Sequence, residues 1–299
     1  MKLYHYTTSS TLVSILQNKQ IWFTDFRFLN DAQEGILSRQ IVQKTLSEFN
    51  FEDKIELYNQ IGRASEAGNH PFGIQGDPFE GLIKNLKERL PSYRPPSGVT
   101  EYIPYVFSLS EDCDSLSQWR AYGKGELCIE FDADILAQAT GGRLLKIDYK
   151  DPTKSDVAIS VAIHKFFDNV LETYRQTNRF DPETFADGYQ DVRSSLLSFQ
   201  PLMSLKHIGF KDELERRLVL DVSPRSRDGQ KTFIDGGRYP TPRLKANISN
   251  SSISLSEVIT GIVFGPGSDE VRAEYAIKAL NLEFELRLKS HFSKVPYRA

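Results

Sequence analysis

The sequence predicts an α+β fold in which helical insertions decorate a central mixed sheet. Segments with strand alternation recur along the 299 residues and are interleaved with segments of helical spacing. Two stretches, about 31–92 and 152–204, carry mainly helical patterns, and no internal repeat is visible. Such a mixture indicates one central sheet with helices packed around it. We therefore predict a single domain over residues 1–299 with two helical insertions.

The chain opens with the pattern of a strand, a helix and a second strand. KLYHY at 2–6 alternates with period two. TTSSTLVSILQNKQ then places Leu12, Ile15 and Leu16 at helical spacing, after a cluster of hydroxyl residues of the type that cap helices. IWFTD at 21–25 returns to strand character.

The middle and the end of the chain supply the remaining strands. The strand patterns are IPYVFSLS (103–110), ELCIEFD (126–132), GRLLKIDY (142–149), LERRLVLDV (214–222), ITGIVFG (259–265) and a last one, FELRLK (284–289). SLSQWRAYGKG predicts a short helix closed by glycine, and SDEVRAEYAIKALNL predicts a longer one. FGPGSD lacks the third glycine of a dinucleotide fingerprint, so we expect a tight turn there, with Ser268 or Asp269 capping the helix.

Composition and charge narrow the class of protein. Apolar residues make up 39% of the chain and the formal net charge is −3, which gives no broad basic field for nucleic acid or anionic membrane. Cys113 and Cys128 match neither a disulfide framework nor a zinc spacing. With no apolar stretch approaching the ~20 residues of a membrane span, we expect a cytoplasmic protein without membrane contact.

The first strand carries a histidine at its centre. Residues two apart share a face of a strand, so His5 lies with Leu3 and Thr7. His5 and Thr7 can then hydrogen-bond one ligand together. The alternative is a histidine whose hydrogen bond goes to a neighbouring carbonyl.

The central strands separate polar from apolar side chains in the same way. Val106, Ser108 and Ser110 share one face, and Glu130 falls on the polar face of its strand. This pattern is typical of a sheet with one solvated side, and it also describes the polar wall of a site.

Two further groups have side chains suited to a ligand site. Trp119 and Tyr122 lie beside two glycines and can stack on a planar ring, although a core tryptophan has the same pattern. Glu213 and Glu215 stand two apart at the start of a strand, where a carboxylate can accept from a sugar hydroxyl or stabilise a developing cation. They can equally be an exposed pair balanced by Arg216 and Arg217.

Five blocks in order resemble a bacterial family called domain of unknown function 2971. The blocks are LYHYTT, IWFTDFRFLNDAQE, FSLSEDCDSLSQWRAYGKGELCIEFD, GFKDELERRLV and ITGIVFGP. The resemblance covers nearly the whole chain from residue 3 to about 266 and carries no assigned activity.

The opening also resembles ADP-ribosyltransferase-like folds, including RNA 2'-phosphotransferases and DNA-modifying toxins. That resemblance implies a split sheet with NAD bent in its cleft, and a bacterial toxin or phage-defence effector acting on a protein or nucleic acid acceptor. Carried over, Glu215 and His5 are the catalytic candidates. The implied cofactor-binding residues are His5, Thr7, Ser108, Ser110, Trp119, Tyr122 and Glu213. Glu130 competes with Glu215 for the catalytic role.

Two other functions stay open at this point. A nucleotide-sensing or binding module would keep the cleft without the chemistry. A metal-dependent nuclease would use Asp31, Glu34, Glu111 and Asp114.

Overall fold

The computed structural model describes residues 1–29, 103–154, 203–222, 231–235 and 239–296, with isolated positions at 37–48 and 156–172. The helices expected within the insertions lie mostly outside the described residues. The described chain contains mixed helices and strands around a largely antiparallel sheet, which confirms the predicted α+β class.

Twelve strands are present in the described part of the chain. They are β1 (Lys2–Thr7), β2 (Gln20–Asp25), β3 (Ile103–Ser110), β4 (Leu127–Asp132), β5 (Arg143–Lys146), β6 (Asp148–Lys150), β7 (Leu205–His207), β8 (Glu215–Val222), β9 (Lys231–Asp235), β10 (Pro240–Asn247), β11 (Ile259–Phe264) and β12 (Lys289–Phe292). The predicted strand GRLLKIDY is divided at Ile147, whose side chain is buried and whose N–H donates to the Glu215 carbonyl.

The described helices are short except for the first and the last. They are α1 (Ser9–Asn18), α2 (Leu116–Gln118), α3 (Ala133–Thr140), α4 (Leu255–Val258) and α5 (Glu270–Glu283). A π-helical turn, Trp119–Gly123, continues α2, and 3-10 turns cover Phe26–Phe28 and Ile208–Glu213. Asp269 caps α5 through the backbone N–H of Arg272, as the FGPGSD pattern predicts.

Side-chain hydrogen bonds hold the first helix in place. The Thr8 hydroxyl accepts from the Thr11 N–H at the start of α1. The Glu126 carboxylate accepts from both the N–H and the hydroxyl of Ser9, at 2.7 and 2.8 Å. These bonds satisfy donors that a helix start leaves without partners, so the position of α1 is fixed relative to β1 and β4.

The main sheet has the strand order β12-β11-β4-β1-β3-β2-β10-β9, with β8 and β5 joined to it through β3. Its pairs are antiparallel except β11 with β12. The main core lies on one face, under α1, α3 and α5, and includes Leu3, Phe107 and Ile129. A smaller core on the other face joins Tyr6, Trp119, Cys128 and Val263.

Strand β3 is where the sheet divides. β8 pairs with β3 along its whole length, from Ile103 to Ser110. On the other side β1 bridges to β3 only at Ser110, while β2 pairs with it at Tyr105 and Val106. β1 and β2 therefore lie along the same edge of β3 at different positions on its length, and a gap opens between them.

The chain forms two compact units. The first comprises Met1–Asn30, Gly98–Asp148 and Gly209–Ala299 and contains the main sheet; the second comprises Asp31–Ser97 and Tyr149–Ile208. Within the second unit, Lys150 pairs with the buried Asp156 at 3.0 Å, and Thr45 donates to the Ile41 carbonyl. Where the structure is described, no helix is both long and apolar enough to cross a membrane.

Candidate functional site

A cavity of about 450 Å³ occupies the gap between β1 and β2. Its described walls are polar on the α1 side and aromatic at several points of the sheet side. They are formed by His5, Ser10, Thr11, Ser14, Ile15, Gln20, Trp22, Thr24, Phe28, Leu29, Val106, Phe107, Ser108, Tyr122, Ile234 and Arg243. The volume falls in the range of small-molecule sites, about 300–1,000 Å³.

His5 is held in one orientation by two contacts. Its ring stacks on Phe107 with centroids 4.3 Å apart, and Phe107 is itself packed against Phe23 and Phe131. Its Nδ1 lies 3.0 Å from the Ser108 carbonyl oxygen. A carbonyl oxygen only accepts, so Nδ1 carries the proton and Nε2 is an acceptor.

The electrostatics of the cavity keep His5 neutral. The pKa of His5 is lowered from 6.5 to about 4, mainly because the ring is buried. The hydrogen bond to the Ser108 carbonyl raises the pKa in part, and the nearby Arg243 charge adds to the lowering. A neutral ring with a bare Nε2 accepts a hydroxyl or N–H donor near pH 7.

His5 does not share a face of the sheet with Ser108, Ser110 and Glu215. Tyr4 pairs with Ser110, and Ser110 pairs with Glu215, so these side chains point to one face of the sheet. His5 follows Tyr4 and therefore points to the opposite face, with Leu3 and Thr7. The faces are nevertheless connected at the gap, because Ser108 accepts from His5 through its backbone and donates its hydroxyl to Glu215 Oε1 at 2.7 Å.

Glu215 is engaged by a buried arginine rather than by the cavity. Arg217 Nε and Nη2 lie 2.9 and 3.0 Å from its two carboxylate oxygens, and Arg217 is 1% exposed. Glu215 is not among the described lining residues. The alternative that Glu213 and Glu215 form an exposed pair is also wrong for Glu215, because Glu215 is buried.

Four other predicted site residues lie outside the cavity lining. Thr7 is buried at the end of β1. The Ser110 hydroxyl donates to the Glu213 carbonyl and accepts from the Asp112 N–H, so Ser110 and Glu213 hold the loop that follows β3. Trp119 is fully buried in the small core, where Tyr6 meets it edge-on at 4.7 Å and Asp114 accepts from its Nε1.

Tyr122 does line the cavity. It lies in the π-helical turn that begins at Trp119, and the residue is 38% exposed. The wider turn places two aromatic residues of one short segment in different surroundings, one in the small core and one at the cavity. Turns of this kind are frequent at functional sites.

Sequence reasoning missed Trp22 and Arg243. Trp22 is 39% exposed at the cavity and lies under the Lys245 ammonium, 5.2 Å from the ring centroid. Arg243 donates through Nη1 to the Thr24 hydroxyl. IWFTD and PTPRLKAN did show alternation, which puts Trp22 and Thr24 on one face and Arg243 and Lys245 on one face.

The remaining carboxylate candidates have structural partners. Glu130 is 3% exposed; although burial opposes its charge, hydrogen bonds from Lys2 and Thr260, each 2.6 Å, lower its pKa. Glu111 pairs with Arg216, and Asp114 accepts from Trp119, Ser293 and Lys294. Among described residues no group of three or more His, Cys, Asp and Glu could hold a metal ion. Asp31 and Glu34 lie outside the described residues.

Comparison with known proteins returned no match to a family model, to a curated protein or to a solved structure. The resemblance to domain of unknown function 2971 stays a prediction from the five sequence blocks.

Proposed function

We propose that this protein binds NAD or a related nucleotide in the cavity between β1 and β2, in the manner of ADP-ribosyltransferase-like proteins. The observation that carries the proposal is the composition of the described walls. Aromatic side chains, hydroxyls, a neutral histidine acceptor and one guanidinium converge on about 450 Å³, and none of the described lining residues is a carboxylate. A nucleotide needs these groups, because it combines planar rings, sugar hydroxyls and phosphates.

Each kind of wall group suits a different part of a nucleotide. Trp22 and Tyr122 offer partly exposed aromatic faces to a base or nicotinamide ring. The Nε2 of His5 accepts from a ribose hydroxyl, and Ser10, Thr11 and Ser14 of α1 bring further hydroxyls to the same space. The division of the sheet at β3 supports the split-sheet fold that the sequence resemblance implies.

The two tryptophans make binding measurable. Trp22 lies at the cavity, and Trp119 is fully buried in the other core, so a nucleotide in the cavity should quench Trp22 fluorescence. We expect NAD or ADP-ribose to quench the wild type saturably and to leave Trp22→Phe, which retains Trp119, unquenched. The proposal fails if calorimetry detects no binding of NAD, ADP-ribose or ADP to the wild type.

Transfer of ADP-ribose from NAD is a second candidate, which the Ser108 contact favours. Ser108 lines the cavity, and its hydroxyl donates to the buried Glu215 carboxylate. The carboxylate is therefore separated from the cavity by the Ser108 side chain. A carboxylate there would stabilise the positive charge that develops at the ribose when nicotinamide leaves. Binding without turnover is the simpler outcome, since the described lining residues include no carboxylate.

Release of nicotinamide from labelled NAD separates the two. If the protein is a transferase, Ser108→Ala should slow release and Glu215→Gln should abolish it in protein that circular dichroism shows to be folded. Ser110→Ala is the matched control, because among described residues its hydroxyl contacts only backbone groups, the Glu213 carbonyl and the Asp112 N–H, and it does not line the cavity. Saturable binding with no release from the wild type identifies a binding module instead.

A further inference from the structure

Arg243 is a partly buried cation without an anionic partner among the described residues. In the described part of the chain its side chain donates to the neutral hydroxyl of Thr24, and its buried Nε has no hydrogen-bond partner there. Burial lowers its pKa, and no carboxylate of the described residues opposes that effect. The guanidinium still remains charged, since arginine does not deprotonate in proteins.

A buried charge without a counter-ion is costly unless a partner is supplied. Most arginines in the described sheet have such a partner: Arg217 meets Glu215, Arg216 meets Glu111 and Arg143 meets Asp221. Arg243 differs in lining the cavity, where a ligand can provide the missing anion. Its planar donors match phosphate oxygens at two points.

The register of the strands places this cation next to the aromatic wall. Arg243 pairs with Thr24 and Lys245 pairs with Trp22, so Trp22 and Arg243 are diagonal neighbours on one face. Diagonal neighbours in an antiparallel pair lie about 7–8 Å apart. One sugar unit spans a distance of this order between a planar ring and its phosphate.

We propose that Arg243 binds the phosphate of the ligand and that the ring attached through the adjoining sugar lies against Trp22. The ligand is thus a phosphorylated nucleoside unit, whether a free mononucleotide or half of a dinucleotide. This inference rests on the proposed nucleotide binding for the identity of the ligand, but the anion site itself is independent of it.

The test compares ligands with and without phosphate on matched arginine variants. Calorimetry with ADP, ADP-ribose and adenosine is run on the wild type, Arg243→Gln, Arg243→Lys and the control Arg272→Gln. Arg272 is a suitable control because its side chain is 89% exposed on α5. A parallel measurement adds inorganic phosphate, against chloride at equal ionic strength, and records the shift in Tm.

We expect Arg243→Gln to weaken ADP and ADP-ribose about ten- to hundredfold, the loss of a hydrogen bond to a charged group, and to leave adenosine unchanged. Arg243→Lys should fall between, since it keeps the charge without the planar donors. Equal losses for adenosine and ADP, or no loss for either, overturn the assignment. If no nucleotide binds the wild type, the proposed function fails, and inorganic phosphate decides the anion site. A Tm increase absent from Arg243→Gln supports that site, whereas equal shifts or no shift in the two proteins rejects it.

Discussion

The Nδ1 atom of His5 lies 3.0 Å from the backbone carbonyl oxygen of Ser108, and this contact determines which ring nitrogen carries the proton. Because Nδ1 donates, Nε2 accepts. The low pKa of His5 keeps that arrangement through the physiological range. The cavity therefore presents an acceptor at position 5, and the proposed nucleotide would supply the donor.

The low pKa predicts how stability depends on pH. Burial lowers the pKa of His5 from 6.5 to about 4, so below pH 6.5 the unfolded chain binds this proton before the folded one does. The free energy of unfolding should then fall as pH falls from 6.5 towards 4, by at most about 3 kcal/mol. Urea unfolding of the wild type and His5→Asn across this range measures the difference. His291→Asn, from the edge strand β12, is the control; a His5→Asn curve parallel to the wild type would contradict the prediction.

The buried pair Glu215–Arg217 should matter more for stability than its exposed neighbour. Glu215→Ala leaves the 1% exposed Arg217 without its bidentate partner, so we expect a loss of about 3–5 kcal/mol in the free energy of unfolding. Glu111→Ala removes the partner of Arg216 on the same strand, where the side chains are more exposed, and should cost less than about 1 kcal/mol. Urea unfolding of both variants decides, and similar losses would mean that burial does not set the cost.

Asp114 should act as the anchor of the C-terminal segment. Its carboxylate accepts from the Trp119 indole, the Ser293 hydroxyl and the Lys294 N–H. Asp114→Ala leaves the buried indole N–H without this acceptor, and we expect a cost of about 3 kcal/mol. Hydrogen exchange at 293–296 should accelerate. Asp134→Ala, whose side chain is 72% exposed, should leave that exchange unchanged; unchanged exchange in Asp114→Ala would refute the anchor.

Gly265 is required for close packing. A Cβ at this position would overlap the carbonyl group of Gly125, which the backbone of the neighbouring turn holds in place. Gly265→Ala should therefore cost about 3 kcal/mol. Gly267→Ala meets no atom within 4 Å and carries only the cost of its positive φ, about 1–2 kcal/mol. Thermal unfolding of the two variants tests this order, and a smaller loss for Gly265→Ala would disprove it.

Local patterns predicted the elements well where the structure describes them. The alternation of KLYHY and IPYVFSLS, and the hydroxyls before α1, correspond to β1, β3 and the Thr8 cap. The strand predicted over FELRLK is wrong, because Leu286 and Leu288 are buried in the core without forming a strand. The last strand begins at Lys289, where the chain first pairs with Gly261 of β11.

The site was harder to predict because it depends on strand register. His5, Ser108 and Tyr122 were expected at a site and do line the cavity. Arg243 reaches Thr24 across 219 positions of sequence, and no local pattern specifies that pairing. The placement of Trp119 failed for a related reason: an indole next to glycines fits a core or a ligand wall equally well, and only the packing of Tyr6 and Val263 distinguishes them.

The gap in the sheet has one more consequence. On the edge of β3 where Val106 meets β2 and Ser110 meets β1, Ser108 lies between the two bridges, and its carbonyl is satisfied by the imidazole of His5. The His5 side chain thus takes the place of the hydrogen bond that a neighbouring strand would make to the Ser108 carbonyl. Replacing His5 removes a hydrogen bond of the sheet and changes the cavity wall together. Replacing the side chain of Trp22 or Arg243 changes the wall but leaves that hydrogen bond in place. If the proposed nucleotide binding holds, redesign of the cavity for another nucleotide should start from those two positions and leave position 5 intact.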